Sequence, residues 1–209
     1  MKKRIVLISL AGLVLGNLAF AIVDTGPNSL GVYFDAGTFE QNCIDPPYLV
    51  PFTMYFVMAN CTQTFIGGFE FSWAMDPDPA GQVIIMGLLL PMYAINIGDQ
   101  YNFLVGLGTP LGTGPATVLV ELMLFNLLPD LMAHITVGPT TPSSIPGRAA
   151  FVDGIDLDIL LPMNYSTLDG VNVVLDDNGW VRPGVGRLSC PAPVAIENSA
   201  WGSVKTLYR

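Results

Sequence analysis

The sequence predicts an all-β fold: an antiparallel immunoglobulin-like or jelly-roll sandwich, with a short C-terminal helix or tail. Three observations predict it. Along 66–75 the chain alternates with period two, Phe69, Phe71, Trp73 and Met75 on one parity and Glu70, Ser72 and Ala74 on the other. That is the pattern of a strand with one buried face. Short apolar runs recur roughly every ten to twenty residues between turn-forming clusters, as in sandwiches and barrels. The 22 Gly and 17 Pro argue against long helices, because an interior Pro costs a helix about 3 kcal/mol.

The elements follow in order. Residues 1–21 read as a secretory signal peptide: a basic start at Lys2, Lys3 and Arg4, an apolar run over 5–18, and the small-x-small pattern Ala19, Phe20, Ala21. The apolar run is shorter than the roughly 20 residues a spanning helix needs. Cleavage there would start the mature chain at Ile22 and take the net charge from −9 to −12. The expected sandwich occupies 22–180, with strands at 30–35, 49–58, 66–75, 82–90, 101–107, 117–127, 131–137, 149–152 and 171–175. Phe52, Met54, Phe56 and Met58 give the second strand a uniform apolar parity. The stretches 75–81, 109–115 and 139–147 are rich in Pro, Gly, Asp, Ser and Thr, residues that fix turn dihedrals. The apolar stretches 83–90 and 116–128 are too short to span a bilayer as helices, so the product is not membrane-spanning once the signal is removed.

Residues 181–209 read as a tail. Its first part, 181–193, is Pro/Gly-rich and expected to be irregular. Trp201, Val204 and Tyr208 then fall on one stripe of a short helix capped by Asn198 or Ser199, with Lys205 and Arg209 where the helix dipole favours cations. A helix so short is marginal alone, so it needs something to dock on, either its own domain or a partner.

Composition excludes some functions. Charged residues make up 12% of the chain, with eight Lys+Arg against seventeen Asp+Glu, so there is no electrostatic footprint for nucleic acid. Export makes the three cysteines informative, because a pair should bridge in an oxidising compartment. Cys43–Cys61 is the local choice, worth about 3 kcal/mol for a loop of that size. Cys43–Cys190 and Cys61–Cys190 stay open.

The run Phe52-Thr-Met-Tyr-Phe-Val-Met-Ala-Asn60, followed by Ile66-Gly-Gly-Phe-Glu-Phe-Ser-Trp-Ala-Met-Asp-Pro77, resembles the cohesin-type pattern. In that family an alternating strand ends near Asn, and a Gly-Phe-x-Phe strand runs into an Asp-Pro turn. The resemblance covers about 26 residues. It implies a jelly-roll-like sandwich in a secreted bacterial protein, close in architecture to carbohydrate-binding modules. No position matches the family's dockerin-contacting surface, so that surface is not carried over.

Little points to chemistry. His134, the only histidine, lies opposite in parity to Ala133, Ile135 and Val137 and reads as a solvent-side strand residue. No Gly-x-Ser-x-Gly elbow is present. Glu40, Glu70, Glu121 and Glu197 stand in no hydrolase motif. Glu70 falls on the outer face of its strand. Asp153, Asp156 and Asp158 carry hard oxygen atoms suited to calcium, but a turn is the simpler reading and no cofactor is expected. Trp180, after Asp176-Asp-Asn-Gly179, is the aromatic most suited to exposure, and Trp73 reads as core. The expected function is a secreted, non-catalytic binding or adhesion module whose partner is a protein or a polysaccharide. A carbohydrate-binding module is the first alternative, an outer-membrane barrel or an enzyme a more distant one, and oligomeric state is left open.

Overall fold

The computed structural model describes residues 26–166, 174–175, 181–182 and 184–190. The signal segment, Trp180 and the tail residues Trp201, Val204 and Tyr208 lie outside the described residues. The described chain is all β: β1 (Ser29–Tyr33), β2 (Cys43–Ile44), β3 (Pro51–Ala59), β4 (Phe65–Asp76), β5 (Val83–Leu89), β6 (Ala94–Asn96), β7 (Asn102–Gly112), β8 (Ala116–Asn126), β9 (Ala133–Gly138), β10 (Ala150–Asp153), β11 (Leu160–Pro162), β12 (Asn164–Tyr165), β13 (Val174–Leu175), β14 (Val181–Arg182) and β15 (Gly184–Leu188).

Two sheets form the sandwich. The smaller has the order β12-β1-β3-β8-β5. The larger runs β11-β10-β4-β9-β15-β2, with β7 also paired to β4 and β6 to β7. Pairing is antiparallel except at two edges, where β12 joins β1 and β2 joins β15 in parallel. Inward parities meet as one core. Phe56 of β3 packs on Phe71, Trp73 and Phe103 with ring centroids 5.0, 5.6 and 6.2 Å away. The indole N–H of Trp73 is also satisfied, donating to the carbonyl of Gln100 at 2.7 Å, as a buried donor must be.

Three features depart from the expectations. First, 109–112 continues β7 instead of turning. Ile66 faces Leu111 while Gly68 faces Gly106, so Pro110 sits in an irregular bulge where no ladder donor is needed. Second, the stretch 181–193 is not simply irregular. β15 pairs with β9 and carries the larger sheet past residue 180. Gly186 explains how a Gly-rich segment serves here, because a Cβ at that position would lie 2.9 Å from Val32 and hold β1 and β15 apart. Third, the bridge joins Cys43 to Cys190, with Cα atoms 5.2 Å apart, and not Cys43 to Cys61. The reason is topological. β1 and β3 are antiparallel, Ser29 opposite Ala59, so Cys61 lies beside the start of β1 while Cys43 follows its end. Parallel pairing of β2 with β15 brings Cys190 to Cys43 instead. Cys61 is a free thiol, packed partly against the core. Burial pushes its pKa up, the backbone at Gln63 opposes, and the charge of Asp153 adds to the rise.

On the outside of the smaller sheet, a loop over 34–41 folds back on itself. Asp35 accepts from the hydroxyl of Thr38 and from the backbone N–H groups of Glu40 and Gln41 at 3.1 and 2.8 Å. Partial burial alone would raise the pKa of its carboxyl, but these donors outweigh it and the net shift is downward. The loop lays Phe39 edge-on against Tyr33 and Tyr55, covering the β1–β3 half of that face.

Candidate binding cleft on the larger sheet

Register builds a concave site from strands distant in sequence. One cross-strand row on the outer face runs Leu160, Val152, Gly68, Gly106, Ile95. The next runs Pro162, Ala150, Glu70, Leu104 and is continued by Ile97, whose N–H donates to the Leu104 carbonyl at 3.0 Å. Glycines in the middle and branched apolar side chains at both ends make a trough of about 360 Å³. Its walls are unsatisfied apolar surface: Ile95 and Ile97 are 68% and 79% exposed.

The two floor glycines differ. A Cβ on Gly68 would stand 2.7 Å from the Val105 carbonyl oxygen, so the close strand approach requires glycine there. At Gly106 a Cβ would meet nothing within 4 Å. The floor is therefore open at that point.

Glu70 closes one end. Its parity is outward, as read from the sequence, yet it is only 7% exposed because 139–149 folds over it. β9 and β10 run along the same side of β4, Gly138 opposite Ser72 and Ala150 opposite Glu70. They are one strand interrupted by the intervening loop. The carboxylate fixes this loop: the backbone N–H of Ser144 donates to Oε1 and its hydroxyl to Oε2, both at 2.7 Å. The Ser72 hydroxyl also donates to the Pro139 carbonyl, and the Arg148 guanidinium to the Met163 carbonyl at 3.1 Å. Hydrogen bonds to a charged partner contribute about 1.5–3 kcal/mol. Glu70→Ala is therefore expected to lower stability by about 2–3 kcal/mol and loosen residues 140–146, read by urea unfolding and amide exchange. Glu70→Gln keeps an acceptor for the Ser144 N–H and should lose less than half as much.

The residues singled out in the sequence lie elsewhere. Asp153 Oδ1 accepts from the Ile155 N–H at 2.7 Å, and Asp156 Oδ1 from the Asp158 N–H at 3.1 Å. These carboxylates serve the turn between β10 and β11, and among the described residues no group of three His, Cys, Asp or Glu side chains is placed to hold a metal ion. His134 stands on the outer face of β9 between Asp76 of β4 and Arg187 of β15. It lines a separate hollow with Arg187, Met132 and Cys190. Glu121 is outward on β8, opposite Tyr55. Burial first, then the charge of Glu121, raises the Tyr55 pKa. The cleft was missed because its floor is made of glycines. Interior glycines at 67, 68 and 106 in apolar strands were the available signal, since Gly inside a strand marks a bulge or a close approach.

No family model matches the sequence, and no curated protein matches it. Solved structures do match. The sandwich is similar to cohesin modules. One is the sixth cohesin of scaffoldin B from Acetivibrio cellulolyticus, in complex with a mutant Cel5 dockerin. It shares 10% identity at a TM-score of 0.45, over 66% of this chain and 93% of that one. Another is a cohesin module from a Clostridium perfringens family 33 glycoside hydrolase, with 10% identity and a TM-score of 0.39, over 66% of this chain and 99% of that one. The likeness concerns the fold. No helix among the described residues is long and apolar enough to cross a membrane.

Proposed function

We propose that the protein is a non-catalytic binding module acting outside the cytoplasm, at the cell surface or beyond it, and that it engages a protein partner through the glycine-floored cleft. The cleft itself carries the reading. It is concave and lined by aliphatic side chains, and Glu70 is its one charged group. Such a surface suits an extended partner segment that offers one or two apolar side chains. A sugar site needs an exposed aromatic platform, and both aromatics in the lining, Phe69 and Phe151, are buried core residues. This favours protein over polysaccharide. The Cys43–Cys190 bridge supports an oxidising compartment.

Gly106→Val tests the reading, since it fills the trough where a Cβ meets nothing and valine suits a strand better than glycine. Stability should hold or rise slightly in thermal unfolding. Proteins captured by the wild type from culture medium and envelope fractions should be lost, while Asp130→Ala, on the exposed turn after β8, retains them. An unchanged capture set with Gly106→Val would remove the cleft from the mechanism. Retention on insoluble cellulose or another glycan matrix, unaffected by that substitution, would favour the carbohydrate reading.

A further inference from the structure

One edge of the smaller sheet carries a second surface, independent of the cleft. The other strands at which pairing ends are short: β12 and β2 have two residues each, β11 and β6 three. Shortness is one of the devices that keep a sheet edge from pairing with another chain. β5 has seven residues and pairs on one side only, with β8. From Ala80 to Leu90 there is no charged residue and no proline, the other usual guards of an edge. One bulge, at Met86, divides the edge without covering it.

The ladder decides which main-chain groups face outward. The Leu127 N–H donates to the Gln82 carbonyl at 2.8 Å. Hydrogen-bonded pairs recur at every second residue of an antiparallel ladder. Ile84 and, past the bulge, Gly87 and Leu89 therefore turn their groups to β8. Val83, Ile85 and Leu88 turn theirs away, to a side on which no strand lies among the described residues. The side chains agree. Leu88 shares the inward parity of Leu122, its partner on β8, yet it is 36% exposed while Leu122 is fully buried. The core is uncovered along this edge.

We infer that β5 is a docking edge, which takes an extended segment of another protein as an added strand of the smaller sheet. The outward N–H and carbonyl groups of Val83, Ile85 and Leu88 supply main-chain hydrogen bonds, and alternate side chains of the segment supply specificity. Apolar residues at its inward positions cover Ile85 and Leu88. Charge sets the rest. Asp78 precedes the edge and Glu121 stands opposite Leu89, with no cation between residues 79 and 90. The segment that fits therefore holds no acid and carries Lys or Arg at its ends, since opposite charges on neighbouring strands attract and like charges repel. A second copy is the poorer occupant, because chains of net charge −9 repel one another.

An end-blocked peptide, Lys-Val-Thr-Val-Thr-Val-Lys, added to the purified full-length protein tests the inference by amide exchange and fluorescence anisotropy. Exchange at Val83, Ile85 and Leu88 should slow at least about tenfold on binding, with Ile84 unchanged because its N–H is already paired. Leu88→Pro removes an outward donor without touching the β8 ladder, and Leu88→Lys sets an inward-pointing charge on the edge. Each should weaken binding at least about tenfold, and the lysine variant carries the test if the proline variant does not fold. The same peptide with Glu at both ends should also bind at least about tenfold more weakly. No binding at about 1 mM overturns the inference, as does binding that leaves the three amides unprotected or is untouched by both substitutions. Protection that appears when the protein alone is concentrated, with a dimer in sedimentation, overturns it in favour of a second copy. Gly106→Val should leave peptide binding intact. A loss there would put the peptide in the cleft and overturn the inference, so its failure and failure of the cleft reading are separately visible.

Discussion

Replacing Cys43 and Cys190 together with serine is expected to reduce the free energy of unfolding by about 5 kcal/mol. The bridge links residues 147 apart in sequence, and the chain-entropy model puts a closed loop of that size near 5 kcal/mol, at the upper end of what native disulfides contribute. The local cost should fall on one edge of the larger sheet. β2 is two residues long and is held to β15 by two parallel pairs, with the Cys190 N–H donating to Asp45 Oδ1 at 2.8 Å. Without the bridge those contacts must hold β2 unaided. Urea unfolding under non-reducing conditions measures the loss, and a fall in melting temperature of roughly 10–20 °C should accompany it. Cys61→Ser is the control and should cost about 1 kcal/mol or less. Peptide mapping gives the connectivity directly: a Cys43–Cys190 cross-linked peptide is expected. A larger loss from Cys61→Ser than from the double substitution would reassign the bridge.

Phe56→Ala should cost about 3–5 kcal/mol, the range for deleting a buried aromatic side chain. Among the described residues Phe56 is the one ring in contact with Phe71, Trp73 and Phe103 together, and so joins the smaller sheet to β4 and β7 of the larger one. Its removal takes away apolar burial and leaves a cavity bounded by three rings that cannot collapse without moving two sheets. Phe56→Leu retains most of the volume and should cost about 1–1.5 kcal/mol. The urea midpoint should shift with an unchanged slope. A loss under 1 kcal/mol for Phe56→Ala would mean that the two sheets close over the gap.

What could be read in the sequence was what repeats locally. Alternation along 66–75 put Phe71 and Trp73 in the core, and the structure agrees. The apolar parity of 52–58 marked the strand facing them. What could not be read depends on register between distant segments. Gly68 and Gly106 form a floor only because β7 lies beside β4 at that offset. Glu70 has an outward parity and is nevertheless buried, because a loop some seventy residues later returns to cover it; strand periodicity cannot carry that information. The cysteine pairing failed for the same reason. Sequence proximity favoured Cys61, whereas the antiparallel β1–β3 pair sends Cys61 and Cys43 to opposite ends. β15 was hidden by its composition, since Pro and Gly mask a strand whose Gly186 answers to a neighbour in the other sheet.

The interruption between β9 and β10 has a consequence for how this scaffold can vary. Gly138 and Ala150 face Ser72 and Glu70, two positions apart on β4, so the whole loop stands in for the single residue that would face Phe71. Both of its ends are held by the β4 ladder whatever lies between them. The loop therefore behaves as a cassette, exchangeable for other lengths and sequences without shifting the strands on either side. Because Ser144 borders the cleft, an exchange that keeps the donors to Glu70 and the core residue Ala149 would redraw that rim. If the proposed cleft is the binding site, its partner preference would be set in part by this loop, within the limit that Glu70 keeps its donors.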